Sequence, residues 1–435
     1  MPLVGERATR SAGPEVRVAT LGAAFSANKG AASMAQAVVD RLPRAVGPCH
    51  IDVLSTYPRE DRAEQPDGPV SIVSLRPIEL VFPVLPICLL VWLVRRIGGS
   101  GTWLSKLHPA TRSLHRADVV LDLAGISFAD GRPFPILVYN VLMTGTPLLL
   151  GCPVIKCSQA VGPFDKRLNR TAARLVLPRL RAVLTRGERT HEHATALGLT
   201  NAQRADDLAF LMEVPERARL RVGALLKSRS VGSRYVVFAP SAVVKAYCEG
   251  IGVDYVAAMA AMIDDIRHSH EVEVVIAPHS ARPGKPESRM NDLPVCREVY
   301  EALEEVAGVH VLDLNLGPSE LRAVIAGSEA LVTSRFHAMI SALATETPVL
   351  VVGWSHKYAE VLEEFGLEDL ALAYDDLADP SRMADAVEEF FTRRDDIAER
   401  IRAGLPAVAA SAHHNLEVVR SQFPSSPRPN SSSPG

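Results

Sequence analysis

The sequence predicts an α/β fold of two tandem doubly wound domains facing a cleft, on three observations. The first is length: 435 residues are more than one hydrophobic core organises well, and two units of about 200 residues each are expected. The second is alternation. Short apolar, β-branched runs at 235–240, 272–278, 309–312, 330–333 and 348–352 are separated by helix-period segments such as 254–268, 318–326 and 356–365. Buried strands alternating with amphipathic helices make a mostly parallel sheet covered on both faces. The third is that the first half follows the same grammar less regularly. Strands are expected at 16–21, 51–55, 118–123 and 154–159, and helices at 31–42 and 166–177.

Between the halves, the stretch MEVPERARLRVGALLKSRSVGSR over 212–234 holds no buried-strand run and is expected to be a linker. The organisation is then a first α/β domain at 15–211 and a second at 235–422. A flexible lead at 1–14 and a Pro/Ser-rich disordered tail at 423–435 are expected to flank them. The lead lacks the apolar stretch of a signal peptide, so a cytoplasmic chain is expected. No short fixed period recurs, which excludes a solenoid or propeller.

A net charge of −3 gives no general attraction to nucleic acid, so duplex binding is not expected. The six cysteines form no CxxC pair, which argues against a zinc site or disulfide framework and for reduced thiols. No metal and no cofactor is expected. One segment departs from this pattern. Residues 80–94, LVFPVLPICLLVWLV, carry no charge and are followed by Arg95 and Arg96. Fifteen residues broken by Pro83 and Pro86 are too short to span a bilayer. The preferred reading is a buried segment of the first core. The alternative is a foot, 80–96, dipping into the inner membrane leaflet with Trp92 and the arginines at headgroup level.

The most informative stretch is ALVTSRFHAMISALATETPVLVVGWSHK over 330–357. A strand at 330–333 gives way to a helix starting near Phe336, with Ser334 expected as its cap. Arg335 and His337 thus sit at the carboxyl edge of the sheet. Unpaired N–H groups and the helix dipole favour an anion there, and an arginine adds a planar fork suited to carboxylate or phosphate. The next strand ends at Ser355, His356 and Lys357, a second basic group on the adjacent edge.

Here the chain resembles a family, the polysaccharide pyruvyl transferases. SRFHAMISAL followed by TPVLV and a lysine is similar to that family's C-terminal signature. So are SQAVGPF at 158–164, RGERTHEHATALG at 186–198 with Asp207 beyond it, Asn28-Lys29-Gly30, and DVVLDLAGISFAD at 118–130. The likeness covers roughly 16–400. Three departures, Ala31 and Gly187 where acidic residues are usual and a lone Gly125 where a glycine pair is common, fall in the half expected to bind the acceptor.

The resemblance implies two Rossmann-like domains of the kind found in glycosyltransferases, and transfer of the pyruvyl unit of phosphoenolpyruvate, a co-substrate, onto two hydroxyls of a sugar. The sugar acceptor would be nucleotide-linked, lipid-linked or polymeric. His337 would be the general acid, Arg335 a clamp on the donor's anionic groups, Arg186 a second clamp and Lys357 a third. Asn28, Gly30, Gly125, Asp130 and Asp207 would line the substrate, with Asp122, Asp130 and Asp207 candidates to orient or deprotonate sugar hydroxyls or, more simply, to cap turns. The arginines Arg167, Arg170, Arg174 and Arg181 would be a solvated stripe or would face a carrier diphosphate. His191 and His193 lack the spacing of a metalloprotease pair. Two other readings remain open: a nucleotide-sugar glycosyltransferase, for which Glu346 is the nearest acid for a ribose, and a catalytically silent assembly partner, which intact Arg335 and His337 argue against.

Overall fold

The computed structural model describes residues 15–26, 28–281 and 291–423. The expected lead at 1–14, and all of the expected tail except Gln422-adjacent Phe423, lie outside the described residues. Two parallel sheets form the frame. The first joins β1 (Val16–Leu21), β2 (Cys49–Ser55), β3 (Val70–Ser74), β4 (Val119–Asp122), β5 (Val154–Gln159), β6 (Ala182–Thr185) and β7 (Ala202–Arg204) in the order β3-β2-β1-β4-β5-β6-β7. The second joins β8 (Tyr235–Ala239), β9 (Glu273–Ile276), β10 (Val309–Val311), β11 (Ala330–Thr333), β12 (Val349–Gly353) and β13 (Ala371–Ala373) in the order β10-β9-β8-β11-β12-β13. Every pairing is parallel.

The expected fold class is therefore the observed one. The central strands are buried on both faces, as β8 (YVVFA) and β12 (VLVVG) show by having no exposed residue. β3, β6, β7 and β13 were not anticipated. They are three to five residues long, too short for a periodicity to register, and three of them are edge strands while the fourth, β6, lies next to one. Residues 212–234, expected to link the units without a buried strand, hold the helix Glu216–Ser228, whose Ala218, Val222 and Leu226 are buried.

The last helix, Arg394–Arg420, returns to the first sheet. Its fully buried Asn415 accepts from Ser158 Oγ (2.7 Å) and donates to the carbonyl of Asp206 (3.1 Å), while Ser411 Oγ accepts from Asp206 N–H (3.1 Å). Other links between the two sheets' units come from Lys29, fully buried against Glu64 (2.7 Å), with Asn315 donating to the other Glu64 oxygen (2.7 Å). Arg322 is the largest fully buried side chain. From the helix Pro318–Ala326 its guanidinium donates to the carbonyls of Ala209 and Met212 (2.7 Å each). Those carbonyls belong to the turn just after Asp207.

The segment 80–94 is not the enclosed core element preferred from the sequence. It lies in a helical run, Pro77–Arg96, interrupted at Phe82. One face, with Leu80, Val84, Ile87, Cys88 and Val91, is buried against the first sheet. Phe82, Leu89, Leu90 and Leu93 on the other are 46–66% exposed. Hydrophobicity told that the segment is apolar; only packing tells which half of it is covered.

Burial lowers the Arg322 pKa to about 9, with Asp207 and Asp40 acting in the opposite sense. Arg322→Met would keep the volume but strip two buried carbonyls of their donors. The expected cost is about 2–4 kcal/mol in urea unfolding. A loss below about 1 kcal/mol would count against this bridge.

Candidate active site

Parallel strands deliver every following loop to the same sheet edge, and strand order reverses between β1 and β4 in one sheet and between β8 and β11 in the other. Crevices open at such reversals, outside the carboxyl ends of the strands. Asn28, Gly30, Gly125 and Asp130 follow β1 and β4; Arg335 and His337 follow β11; Arg186, Asp207 and Lys357 follow β6, β7 and β12.

Asp207 joins the two units. Its Oδ2 takes Arg186 Nη1 at 2.5 Å and lies 3.5 Å from His337 Nε2, while Oδ1 accepts from Ala209 N–H (2.9 Å). Burial alone would push its pKa up, but Arg186 and His337 hold the carboxyl well below the usual carboxylate range. An ionised, fully buried carboxylate with its oxygens so engaged positions cations; it is not free to take a proton from a sugar. Arg186 also donates to the Gly125 carbonyl (3.3 Å) and lies over the Phe336 ring, 4.6 Å from its centroid.

His337 is in the first turn of the helix Phe336–Leu343 and packs directly on Gly30, in the first turn of Lys29–Val46. A Cβ at Gly30 would fall 2.1 Å from His337 Nδ1, so only glycine allows this contact. Asn28 caps that helix, accepting from Gly30 N–H (3.0 Å), and its backbone bridges to Ser280 of the second unit. Burial lowers the His337 pKa; Asp207 opposes this, and Arg186 and Lys357 add to it.

Arg335 is at the N-cap of the same helix and forms an ion pair with Asp292. Burial would weaken its charge, yet Asp292 raises its pKa overall. Burial pushes Asp292 up in turn, with Arg335 partly offsetting it, and the carboxylate also accepts from Ala242 N–H (3.1 Å). Lys357 lies over Phe336, Trp354 and Tyr358 at 4.8–5.6 Å from the ring centroids. Burial, then Arg186, Arg132 and Arg335, lower its pKa to about 7. The aromatic floor stacks further: Trp354 packs on Tyr247, with centroids 5.2 Å apart.

Other expected residues lie elsewhere. Asp130 is spent on the loop before the helix Arg167–Val176, accepting from Asp165 N–H (2.7 Å), Lys166 N–H (3.0 Å) and Asn169 Nδ2 (2.8 Å). Asp122 is enclosed with Lys156, Thr144 and Gln159 beneath the loops. Ser334 is not the expected cap; its hydroxyl accepts from Tyr255 (2.9 Å), and Thr333 Oγ1 takes Arg335 N–H instead (2.9 Å). His356 is turned outward. Gly187, where an acidic residue is usual, has φ 79°, a backbone that disfavours any side chain.

Two site residues were missed. Asp292 precedes the helix Leu293–Glu301 and lies well beyond the end of β9, so no strand end marks it in the sequence. His279 directly follows the expected strand at 272–278, and that position was a usable signal. It is buried, and burial with the nearby charges of His337, Arg335 and Arg322 pushes its pKa down to about 3, so it is a neutral imidazole. Among the described residues no cluster suited to a metal ion occurs.

The fold is shared with enzymes of sugar metabolism. The UDP-GlcNAc 2-epimerase of Neisseria meningitidis superposes with a TM-score of 0.59 at 9% identity, covering 94% of this chain and all of that one. A UGT transferase of Siraitia grosvenorii gives 0.56 at 11% identity, covering 94% and 99%. In sequence, the amylovoran biosynthesis protein AmsJ of Erwinia amylovora is 22% identical over 382 residues, 82% of this chain and 88% of its own. Residues 28–356 match the polysaccharide pyruvyl transferase family, a span that runs from Asn28 through His337 to the edge of Lys357. The chain belongs to the polysaccharide pyruvyl transferase family.

Proposed function

We propose that this transferase moves the pyruvyl unit of phosphoenolpyruvate onto two hydroxyls of a sugar in a polysaccharide or its precursor, forming a cyclic ketal and releasing phosphate. One observation carries the reading: three basic side chains, Arg186, Arg335 and Lys357, are gathered around His337, the imidazole paired with Asp207. Phosphoenolpyruvate is a compact polyanion that must be protonated on carbon, and this combination of clamps and acid suits it.

In the proposed reaction, Arg335, Arg186 and Lys357 bind the donor's carboxylate and phosphate. His337, as imidazolium, donates its proton to the methylene carbon, which becomes the methyl group. The cationic centre left at the enol carbon is attacked by a sugar hydroxyl, whose proton returns to His337. The C–O bond to phosphate then breaks with its electron pair, and the second hydroxyl attacks, passing its proton to the departing phosphate. Asp207 keeps the imidazole oriented and favours its charged form. The work is proposed to occur in the cytoplasm, where phosphoenolpyruvate is made.

The glycosyltransferase alternative needs an acid for the ribose. Glu346 precedes β12, at the amino end of the sheet and opposite the crevice, and is paired with Arg402 (2.9 Å). It is in no position to serve.

Incubation with phosphoenolpyruvate and a panel of sugar acceptors should release phosphate and add mass to one of them. Phosphoenolpyruvate alone should raise the melting temperature, by about 2.7 kcal/mol of added stability at a hundredfold excess over its Kd. A shift with UDP-sugars and none with phosphoenolpyruvate would favour the glycosyltransferase reading. His337→Ala should cut kcat on the order of 10²–10⁴-fold with little change in donor affinity. Arg335→Lys should weaken donor binding, because lysine lacks the planar fork. Turnover of His337→Ala near that of the parent would eliminate the proposed acid.

The pH dependence has a defined sign. Lys357 titrates at about 7 in the free protein, against 10.5 ordinarily. A bound polyanion favours its ammonium form, so binding above pH 7 takes up a proton and affinity falls as pH rises, by up to about tenfold per unit. Without ligand, the unfolded chain binds this proton better between about 7 and 10.5, so the group's destabilising effect shrinks as pH rises through that window. Calorimetry in buffers of different ionisation enthalpy should register the uptake. Lys357→Met should remove the lysine's share of the uptake above pH 7 and leave that of His337.

A further inference from the structure

The outer layer on one face of the first sheet is unusual. The most apolar eighteen residues of the run Pro77–Arg96 have a mean hydropathy of 2.3, yet only 28% of them are buried. Beside it lies Phe134–Leu149, sixteen residues without a charge, of which only Met143, Thr144, Thr146 and Pro147 are buried. Phe134 and Ile136 at its start are 62% and 42% exposed. The helix Arg167–Val176 completes the face with exposed Leu168 and Leu175. The three helices are contiguous, because all of them line one apolar recess of about 350 Å³ between Trp92, Leu142 and Leu175, with Arg179 at its edge. A continuous apolar area of this extent on a protein otherwise well covered marks a contact surface.

Charge identifies what it contacts. Residues 76–181 hold fourteen Lys and Arg against five Asp and Glu, a net of +9 within a chain of −3, which leaves −12 for the rest. Arg96, Lys166, Arg167 and Arg174 are exposed around the apolar face, and Arg96 lies over the Trp92 ring. A second copy of this chain would bring two such basic rims together, which is unfavourable. An anionic surface with an apolar interior is complementary to both features. The run Pro77–Arg96 cannot be a membrane span here, since Leu80, Val84, Ile87, Cys88 and Val91 are committed to the protein core.

We propose that the exposed face of Pro77–Arg96, Phe134–Leu149 and Arg167–Val176 is an in-plane docking surface for a bilayer containing anionic phospholipid. The first residues of Phe134–Leu149 follow directly on Gly125–Arg132, the loop that meets Arg186 at the site. Docking therefore sets the mouth of the crevice close to the headgroups, where an acceptor sugar carried on a lipid would stand. That last consequence rests on the proposed transfer; the docking itself does not depend on the donor.

The test is flotation of the full chain with vesicles of phosphatidylglycerol and phosphatidylethanolamine, and with vesicles of phosphatidylcholine alone. The protein should float with the first and much less with the second. Leu89→Ser combined with Leu93→Ser should reduce partitioning at least about tenfold with melting unchanged, because these side chains leave water only on the membrane. Phe134→Ser with Ile136→Ser should act likewise. Arg167→Ser with Arg174→Ser should cost roughly 30-fold, about fivefold for each cation near an anionic surface. Failure to float, flotation of the serine variants equal to the parent, or a collapse in their melting would each overturn the proposal. So would a stable dimer that Leu89→Ser and Leu93→Ser dissociate, in the absence of vesicle binding. Phosphate release from phosphoenolpyruvate with a water-soluble acceptor is read separately, so failure of docking and failure of the pyruvyl transfer remain distinct.

Discussion

A single buried carboxylate, Asp207, holds side chains from both halves of the molecule: the guanidinium of Arg186 from the first sheet and the imidazole of His337 from the second. A charge so enclosed is costly unless paired, and the pairing is what fixes the relation between the two sheets' edges. The surrounding contacts keep that carboxylate where it is. Its own Oδ1 starts the turn Leu208–Leu211, Arg322 of the second unit binds the carbonyls of that turn, and the final helix anchors Asp206 from behind. Lys29 with Glu64 and Asn315 closes the same junction on the other side.

The consequence for chemistry is a crevice arranged before any ligand enters. Arg335 is held by Asp292, Arg186 by Asp207, and Lys357 by an aromatic floor. Lys357 and His337 both lose affinity for their protons on burial, so the resting site carries less positive charge than its residues suggest. The proposed polyanionic donor would restore it. That coupling lets the family's reaction, as proposed for this chain, reserve the imidazolium for the moment the donor is bound, and it limits the repulsion among clustered cations when the site is vacant of substrate.

The first unit combines two surfaces with one short connection. Loops at the carboxyl edge of its sheet serve the crevice, and the helices of one flank present an apolar, basic-rimmed face. The loop Gly125–Arg132 joins them, with Asp130 pinning it to the start of the basic helix through three hydrogen bonds. An acidic residue that looked available for a substrate is thereby a structural tie between the site and the apolar face.

Much was determined by the sequence itself. Buried strands such as YVVFA and VLVVG, alternating with amphipathic helices, have no stable solution other than a covered parallel sheet, and strand-to-helix turns at Arg335 and Lys357 put those side chains on one edge. The motif order from Asn28 to Lys357 also named the family. Tertiary structure decided what periodicity cannot express. Which acid pairs with Arg335 depends on a contact between residues 43 positions apart, so Asp292 was invisible, and so was the use of Ser334 by Tyr255, whereas Asp130 follows the simpler of its two readings and holds a turn. Short edge strands and the return of the last helix rest on packing over long sequence separations. The apolar segment at 80–94 is the plainest case. Its composition fixes the affinity of its side chains for an apolar surrounding, but only the sheet beneath it decides which face is satisfied within the protein and which is left to find that surrounding elsewhere.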